Sequence, residues 1–315
     1  MRIAFFGTPD FAVPSLDVLF KSKEHKVVCI VAQPDKPQGR NGGKVVFCAT
    51  KKFGIEHNIP VLQPERISNE VNILDKYKPD VIVTCAFGQL LKQNVLDYCK
   101  YGVINVHASL LPKYRGSSPI QWSIVKGEEQ TGVTIMQTDI GMDTGDIILQ
   151  HMVDIGETDT AGDLFNVLSE LGSTALLEAL IQIESGTAKW IKQSATGIEA
   201  TKYPMIDREC ARIDWNLSAT EVNNLIRGFN PWPIAFFHNE RNEADVKIYR
   251  ATPMDLLEDD FFKTIRTDKI GKIYMDKNKK QIFVVCLGSV LRIDELQLPG
   301  GKVMLARDFL NGREL

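Results

Sequence analysis

The chain has 315 residues, of which 44% are hydrophobic, and its 37 Lys and Arg nearly balance 40 Asp and Glu. This length allows two domains, and the net charge of −3 excludes an overall positive field that would attract nucleic acid. No apolar run approaches the roughly 18 residues of a membrane span, and no leader precedes the first strand. Six scattered cysteines without a C-x-x-C pair predict reduced thiols, no metal site and a cytoplasmic protein without membrane partners.

Strands and helices are predicted to alternate through the first half of the chain. This alternation is typical of a Rossmann-like α/β fold with a parallel, doubly wound sheet. The turn after the first strand, FGTPDFA at 6–12, lacks G-x-G-x-x-G, which disfavours a dinucleotide-binding dehydrogenase. The predicted strands are 2–6, 26–32, 60–62, 81–86, 103–106, 131–138 and 146–154, and the predicted helices are 11–21, 45–57, 71–77, 119–126 and 160–184.

Two polar residues stand at the end of the apolar strand 103–106. Asn105 and His107 are two positions apart, so their side chains point to the same side of the strand. In an open α/β sheet, ligands bind at the carboxyl ends of the strands. The sequence therefore predicts a polar pair at a ligand-binding edge, followed by an irregular turn and a helix that begins at Pro119.

A glycine-rich loop, DIGMDTGD at 139–146, carries further carboxylates. Such a loop could bring Asp143 close to His107, and a nearby carboxylate favours the charged form of an imidazole. Asn105 and His107 could then donate to an oxygen that gains negative charge, while Asp143 accepts a proton directly or through water. This arrangement suits acyl transfer through a tetrahedral intermediate, without a protein nucleophile.

Residue spacing alone leaves structural alternatives open. A lone histidine at a strand end is more often a hydrogen-bonded structural residue, and Asn105 could satisfy a neighbouring loop. The aspartate loop could bind calcium, but Gly141 stands at its third position and Gln150 at its twelfth, where a calcium loop needs an acid and a glutamate.

The pattern changes at about residue 208 to short strands with turn signals, which predict a small OB-like β-barrel. Capping boxes are predicted at Thr160 with Asp163 and at Ser218 with Glu221. Residues 190–207 lack a clear period, so we expect a linker there between domains at 1–189 and 208–315. The predicted elements are strands at 211–215, 234–237, 246–249, 271–275, 282–285 and 290–298 and a helix at 218–227.

The segments NVHASLLPKYRG at 105–116 and DIGMDTGD at 139–146 resemble the signature of the folate-dependent formyltransferases. The resemblance implies that Asn105, His107 and Asp143 are catalytic, that 10-formyltetrahydrofolate is the formyl donor, that an amine is the acceptor and that no metal takes part. It also implies folate contacts from three loops, which comprise Ser109, Leu110, Leu111 and Pro112; Phe87, Gly88, Gln89 and Leu90; and Ile140 and Gly141.

The resemblance continues through the second half, in ECARIDW at 209–215, IRGFNPWP at 226–233 and QLPGGK at 297–302. It implies that the chain is similar to those members of the family that formylate methionine on initiator tRNA for translation initiation. Members that act on a glycinamide ribonucleotide lack this barrel. We therefore expect initiator methionyl-tRNA as the partner of a monomeric enzyme.

Local charge supports a nucleic-acid contact in one place. Between residues 21 and 52 there are eight basic and two acidic residues, and the loop at 33–44 is rich in proline and glycine. Its start, QPDKPQGR at 33–40, resembles the tRNA-contacting loop of the family, whereas the residues after 40 carry fewer lysines than is usual. The alternative is a solvated surface loop. The predicted tRNA-binding residues are Lys36, Arg40 and Lys44.

Three other functions fit parts of the sequence. A sugar nucleotide could supply the amine, a decayed enzyme could bind RNA without catalysis, and a hydrolase could transfer the formyl group to water. The basic loop argues for tRNA, and the intact Asn105, His107 and Asp143 set argues against decay.

We predict that Arg40→Ala weakens tRNA binding and leaves folate binding unchanged, because a guanidinium on this loop would contact phosphate. Initial rates measured against tRNA concentration and against folate concentration test this prediction. An unaltered dependence on tRNA concentration would contradict it.

Overall fold

The structure, a computed structural model, describes residues 1–35, 46–241, 243–254, 265–312 and 315. Lys36, Arg40 and Lys44 lie outside these residues. The described chain forms two compact units. The first comprises residues 1–119, 130–154 and 165–203, and the second comprises residues 120–129, 155–164 and 204–315. The domain boundaries given from the sequence stay a prediction.

A seven-stranded sheet forms the centre of the first unit, in the order β3-β2-β1-β4-β5-β6-β7. The first five strands are parallel, as expected for a doubly wound sheet, and the hairpin β6–β7 adds two antiparallel strands at one edge. The strands are β1 (Arg2–Gly7), β2 (Lys26–Val31), β3 (Val61–Leu62), β4 (Val81–Cys85), β5 (Val103–His107), β6 (Gln130–Gln137) and β7 (Ile147–Asp154).

Two helices of the first unit are shorter than predicted. The segment 71–77 has only a single 3₁₀ turn at Val71–Leu74, because Asn72 and Asp75 are weak helix formers and Pro79 follows closely. The helix predicted at 45–57 begins only at Ala49. The α-helices of the whole described chain are α1 (Val13–Lys21), α2 (Ala49–Glu56), α3 (Gln93–Leu96), α4 (Pro119–Val125), α5 (Ala161–Ser185), α6 (Ala219–Gly228) and α7 (Ala306–Phe309).

The long helix α5 packs on the sheet behind β5. Thr160 and Asp163 form the predicted capping box, in which each backbone N–H donates to the other side chain, at 2.9 and 3.2 Å. A Cβ added at Gly172 would lie 2.9 Å from Val106 Cγ1, so the helix approaches β5 closely. By length and composition α5 could cross a membrane, but half of its most apolar stretch is buried, as in a core helix. The absence of a membrane span stays a prediction.

The second unit contains an antiparallel sheet in the order β10-β11-β12-β9-β8, with β13 paired to β12. It confirms the predicted fold class, an α/β domain followed by a small β-rich domain. The strand predicted at 211–215 is wrong: Arg212 makes an isolated bridge, and Asp214 accepts from Asn216 N at 2.9 Å, which turns the chain. The strands are β8 (Phe236–Asn239), β9 (Ala244–Met254), β10 (Ile273–Asp276), β11 (Gln281–Cys286), β12 (Ser289–Gln297) and β13 (Met304–Leu305).

A half-buried arginine joins separate stretches of chain within the second unit. Arg227, on α6, donates from Nη1 to the carbonyls of Gly156 at 3.0 Å and Asp159 at 2.9 Å, and from Nη2 to Asn224 Oδ1 at 2.8 Å. Burial lowers the pKa of this guanidinium from its usual value. The loop around 155–160 is thereby fixed to α6.

The six cysteines are free thiols, as the sequence predicted, and four of them are buried. Burial raises the pKa of Cys29, Cys85, Cys99 and Cys286 to about 12. These four thiols are therefore poor nucleophiles.

We predict that Ser218→Ala lowers the free energy of unfolding by about 1 kcal/mol, because it removes the capping box at the start of α6. Urea titration measures the effect. Ser185→Ala, at the exposed end of α5, is the matched control, and equal losses in the two variants would contradict a specific capping effect.

Candidate active site

The carboxyl end of β5 presents Asn105 and His107, as predicted. Asn105 pairs in register with Thr84 on the neighbouring strand β4. The Thr84 hydroxyl donates to Asn105 Oδ1 at 2.8 Å. With its oxygen engaged by Thr84, the Asn105 amide offers its Nδ2 group as a donor to a ligand.

His107 is 6% exposed and is held by the turn that follows it. Its Nε2 lies 3.0 Å from the carbonyl oxygen of Tyr114. Because a carbonyl can only accept, Nε2 carries a hydrogen and donates it. Nδ1 is then the ring nitrogen that faces Asp143, whose Oδ1 is 3.9 Å away. This separation is an ion-pair distance and is too long for a hydrogen bond.

Tyr114 itself adopts an unusual backbone conformation, with a φ of 59°. A bulky residue rarely occupies this left-handed region. The conformation is held by Thr201, whose Oγ1 accepts from Tyr114 N at 2.9 Å, and by Tyr203, whose ring stacks on that of Tyr114 at 5.3 Å. These contacts direct the Tyr114 carbonyl at His107.

Asp143 meets His107, as the sequence predicted, and a backbone amide orients it. Its Oδ2 accepts from Gly116 N at 2.8 Å. Gly116 has a φ of 114°, and an added Cβ would lie 3.1 Å from the Tyr203 carbonyl oxygen, so this position favours glycine. Asp143 also has a positive φ, of 53°.

The aspartate loop is closed by its own side chains. Asp139 Oδ1 accepts from Thr144 Oγ1 at 2.6 Å and from Gly141 N at 3.1 Å. At Gly145 an added Cβ would lie 1.8 Å from the Gln137 carbonyl oxygen, so only glycine fits. Within the described ranges, no three His, Cys, Asp or Glu side chains are grouped as a metal site.

The predicted folate contacts divide into exposed and buried side chains. Leu90 is 83% exposed and Ile140 is 71% exposed, and both can offer apolar surface to a ligand. Gly88 and Gly141 carry no side chain, and Leu110 is half-buried. The Gln89 side chain forms hydrogen bonds with backbone groups of residues 64, 65 and 67. The buried members, which shape the loops, are Phe87, Ser109, Leu111 and Pro112.

Hydrogen bonds from the hairpin β6–β7 fix the turn at 109–112. Thr134 Oγ1 donates to the Ser109 carbonyl at 2.6 Å and accepts from Leu111 N at 3.0 Å. Gln150 Nε2 donates to the Leu111 carbonyl at 2.9 Å. The Ser109 hydroxyl donates to the Lys113 carbonyl at 2.8 Å, so it stabilises the turn.

Three residues that support the site were missed from the sequence: Thr84, Gln193 and Thr201. Thr84 could have been found, because it is a polar residue within the apolar strand predicted at 81–86. Gln193 and Thr201 lie in the segment predicted as a linker, where no periodicity marks them. Gln193 is 4% exposed, and its Nε2 donates to the Asp143 carbonyl at 2.8 Å.

The site thus brings together a donor amide, an imidazole and an acceptor carboxylate. Two donors can stabilise an oxyanion, and the carboxylate can take a proton from an attacking amine. The neighbouring hydroxyls of Thr84 and Ser109 already donate to Asn105 and to the backbone. This set suits transfer of an acyl group from one bound molecule to another.

Comparison with known families agrees with this chemistry. A formyl transferase model matches residues 1–180, and a model of the C-terminal domain of formyl transferases matches residues 205–314. The chain belongs to the formyl transferase family. This membership makes the transferred acyl group a formyl group.

Two relatives that match over almost their full length carry the same name. A methionyl-tRNA formyltransferase of Clostridium beijerinckii is 42% identical over 320 residues, which cover 100% of this chain and 98% of the relative. A methionyl-tRNA formyltransferase of Clostridium perfringens strain 13 is 42% identical over 319 residues, with the same coverage.

Solved structures of more distant proteins share the fold. An N-formyltransferase from Helicobacter canadensis, in complex with folinic acid and dTDP-3-aminofucose, matches with a TM-score of 0.67 at 19% identity, covering 93% of this chain and 98% of the other. HypX from Aquifex aeolicus, in complex with tetrahydrofolic acid, matches with a TM-score of 0.63 at 18% identity. That match covers 99% of this chain and 48% of HypX, so the chain spans about half the length of HypX.

We predict that Thr84→Val lowers kcat of formyl transfer roughly fivefold, the equivalent of about 1 kcal/mol, because the Asn105 amide loses the hydroxyl that orients it. Steady-state kinetics at saturating substrates measure the loss. The control is Thr174→Val on the exposed face of α5, and equal kcat in the two variants would contradict the prediction.

Proposed function

We propose that the protein transfers the formyl group of 10-formyltetrahydrofolate to the α-amine of methionine on initiator tRNA. The observation that carries this proposal is the meeting of Asn105, His107 and Asp143 beside β5. The names of relatives 42% identical over the full chain support the acceptor. The solved complexes of distant relatives with folinic acid and tetrahydrofolic acid support the donor.

The reaction begins when the neutral methionine amine attacks the formyl carbon. A C–N bond forms, the carbonyl electron pair moves to the formyl oxygen, and the oxyanion accepts hydrogen bonds from Asn105 Nδ2 and from the Nδ1–H of charged His107. Asp143 takes the proton of the attacking amine, directly or through water. The electron pair of the oxyanion then re-forms the carbonyl as the bond between the formyl carbon and folate N10 breaks. N10 takes the proton that Asp143 accepted, directly or through water, and leaves as tetrahydrofolate.

The geometry around His107 favours this assignment of its two nitrogens. Nε2 is occupied by the Tyr114 carbonyl, so only Nδ1 can donate to a substrate. The Asp143 carboxylate lies 3.9 Å from Nδ1, within ion-pair distance of a charged ring. Nδ1 and the carboxylate are therefore close enough for one substrate to contact both.

The loops around this centre complete the proposal. Exposed Leu90 and Ile140 would contact the pterin, together with the backbone of the loops at 86–91 and 109–112. The basic loop at 33–44 and the second unit would bind the tRNA by phosphate contacts. We also propose a linker at 190–207, a monomeric state and a cytoplasmic location.

We predict that Asn105→Ala and His107→Ala each lower kcat by about 10²–10³, because each removes one donor to the oxyanion. The assay mixes the protein with 10-formyltetrahydrofolate and methionine-charged initiator tRNA, and measures N-formylmethionine after hydrolysis of the ester. The control His151→Ala removes a partly exposed imidazole paired with Glu178 and should retain full activity. Normal turnover in either site variant would contradict the assignment.

The same assay separates the alternatives by exchanging the acceptor. Formylation of a dTDP-amino sugar with no product from tRNA would reassign the acceptor. Formate released from the donor without any amine would indicate a hydrolase. Tight RNA binding with no turnover of the donor would indicate a non-catalytic protein.

A further inference from the structure

Gln193 is a buried amide in an otherwise accessible stretch of chain. Among residues 184–205, all of which the structure describes, it alone is buried, at 4% exposure, while the side chain of the preceding Lys192 is 74% exposed. A buried amide without partners would destabilise the fold, so its contacts show what the residue does.

The Gln193 side chain makes four hydrogen bonds. Its Oε1 accepts from Arg115 Nε at 3.1 Å and from Arg115 Nη2 at 2.7 Å. Its Nε2 donates to the carbonyls of Asp143 at 2.8 Å and Gly145 at 2.9 Å. Because an arginine can only donate and a carbonyl can only accept, this chemistry fixes which end of the amide faces which partner.

These bonds connect the two loops that form the site. Arg115 immediately precedes Gly116, whose N–H holds the Asp143 carboxylate at 2.8 Å. Asp143 is therefore fixed twice to the same turn, through its backbone by Gln193 and Arg115 and through its side chain by Gly116. The second bond from Gln193, to Gly145, holds the loop where its backbone passes Gln137 most closely.

We propose that Gln193 is a positioning residue for formyl transfer, which sets the place of the Asp143 carboxylate relative to His107. The inference rests on the proposed function. Gln193 contacts the Asp143 backbone and no reacting atom, so it acts through the groups that it holds in place, of which Asp143 is the reacting one. A displacement of a reacting group by about 1 Å can lower a rate by about 10².

The test replaces Gln193 by glutamate, which has the same shape. Gln193→Glu keeps the acceptor for Arg115 but places a second oxygen against the carbonyls of Asp143 and Gly145, so the aspartate loop must shift. We expect kcat to fall 10- to 100-fold, with unchanged KM for 10-formyltetrahydrofolate and for charged tRNA. Gln182→Glu, on the surface of α5, is the control with the same change of charge and should keep the kcat of the original protein.

A double-mutant cycle tests whether the effect passes through Asp143. In an Asp143→Asn background, Gln193→Glu should cause little further loss of kcat, because residues that act as a unit are not additive. A loss that stays fully additive would overturn the inference, as would a raised KM with unchanged kcat. If the glutamate variant unfolds, Gln193→Met, which adds no charge, replaces it in the same measurements. If both variants unfold, the role of Gln193 is purely structural and the inference is overturned.

Failure of the proposed function itself has a different signature. If the original protein forms no N-formylmethionine, both the function and the positioning role fail. If it is active and Gln193→Glu is equally active, only the positioning role fails.

Discussion

The hydrogen bond from His107 Nε2 to the Tyr114 carbonyl is the interaction on which the rest of the site depends. It folds the turn after β5 back onto the end of the strand. Gly116, two residues further, can then offer its N–H to Asp143. The short segment from Tyr114 to Gly116 therefore fixes Nε2 of His107 as a donor and places the Asp143 carboxylate that faces Nδ1.

This arrangement stores backbone strain, since Tyr114 and Asp143 both adopt positive φ angles. Left-handed conformations of such residues cost about 1–3 kcal/mol each and persist only where surrounding contacts hold them. Here the contacts come from Thr201, Gly116 and the stacked ring of Tyr203. The strain lies at Tyr114, which holds His107, and at Asp143 itself, so rigidity at these two residues serves placement of the reacting groups.

Local rules predicted much of this from the sequence. Strand alternation placed Asn105 and His107 together, and the capping boxes at Thr160 and Ser218 follow from residue spacing. The strand predicted at 211–215 failed because Asp214 bonds its own backbone neighbourhood, which periodicity does not register. Gln193 and Thr201 could not be found, since their roles arise only when distant segments meet in the folded chain. For the same reason, sequence spacing could not show which nitrogen of His107 bonds to the Tyr114 carbonyl and which one faces Asp143.

The bonds of Arg227 bear on how this chain could have been assembled from parts. The family models divide it in linear order, at 1–180 and 205–314. The second compact unit, however, includes residues 120–129 and 155–164, and the Arg227 guanidinium donates to carbonyls at 156 and 159. A fragment starting after residue 204 would lack those two acceptors, so Arg227 would keep only its hydrogen bond to Asn224 and α6 would lose its connection to the loop around 155–160. Recombination between relatives should therefore tolerate a crossover at the linker only when both parents supply compatible loops upstream.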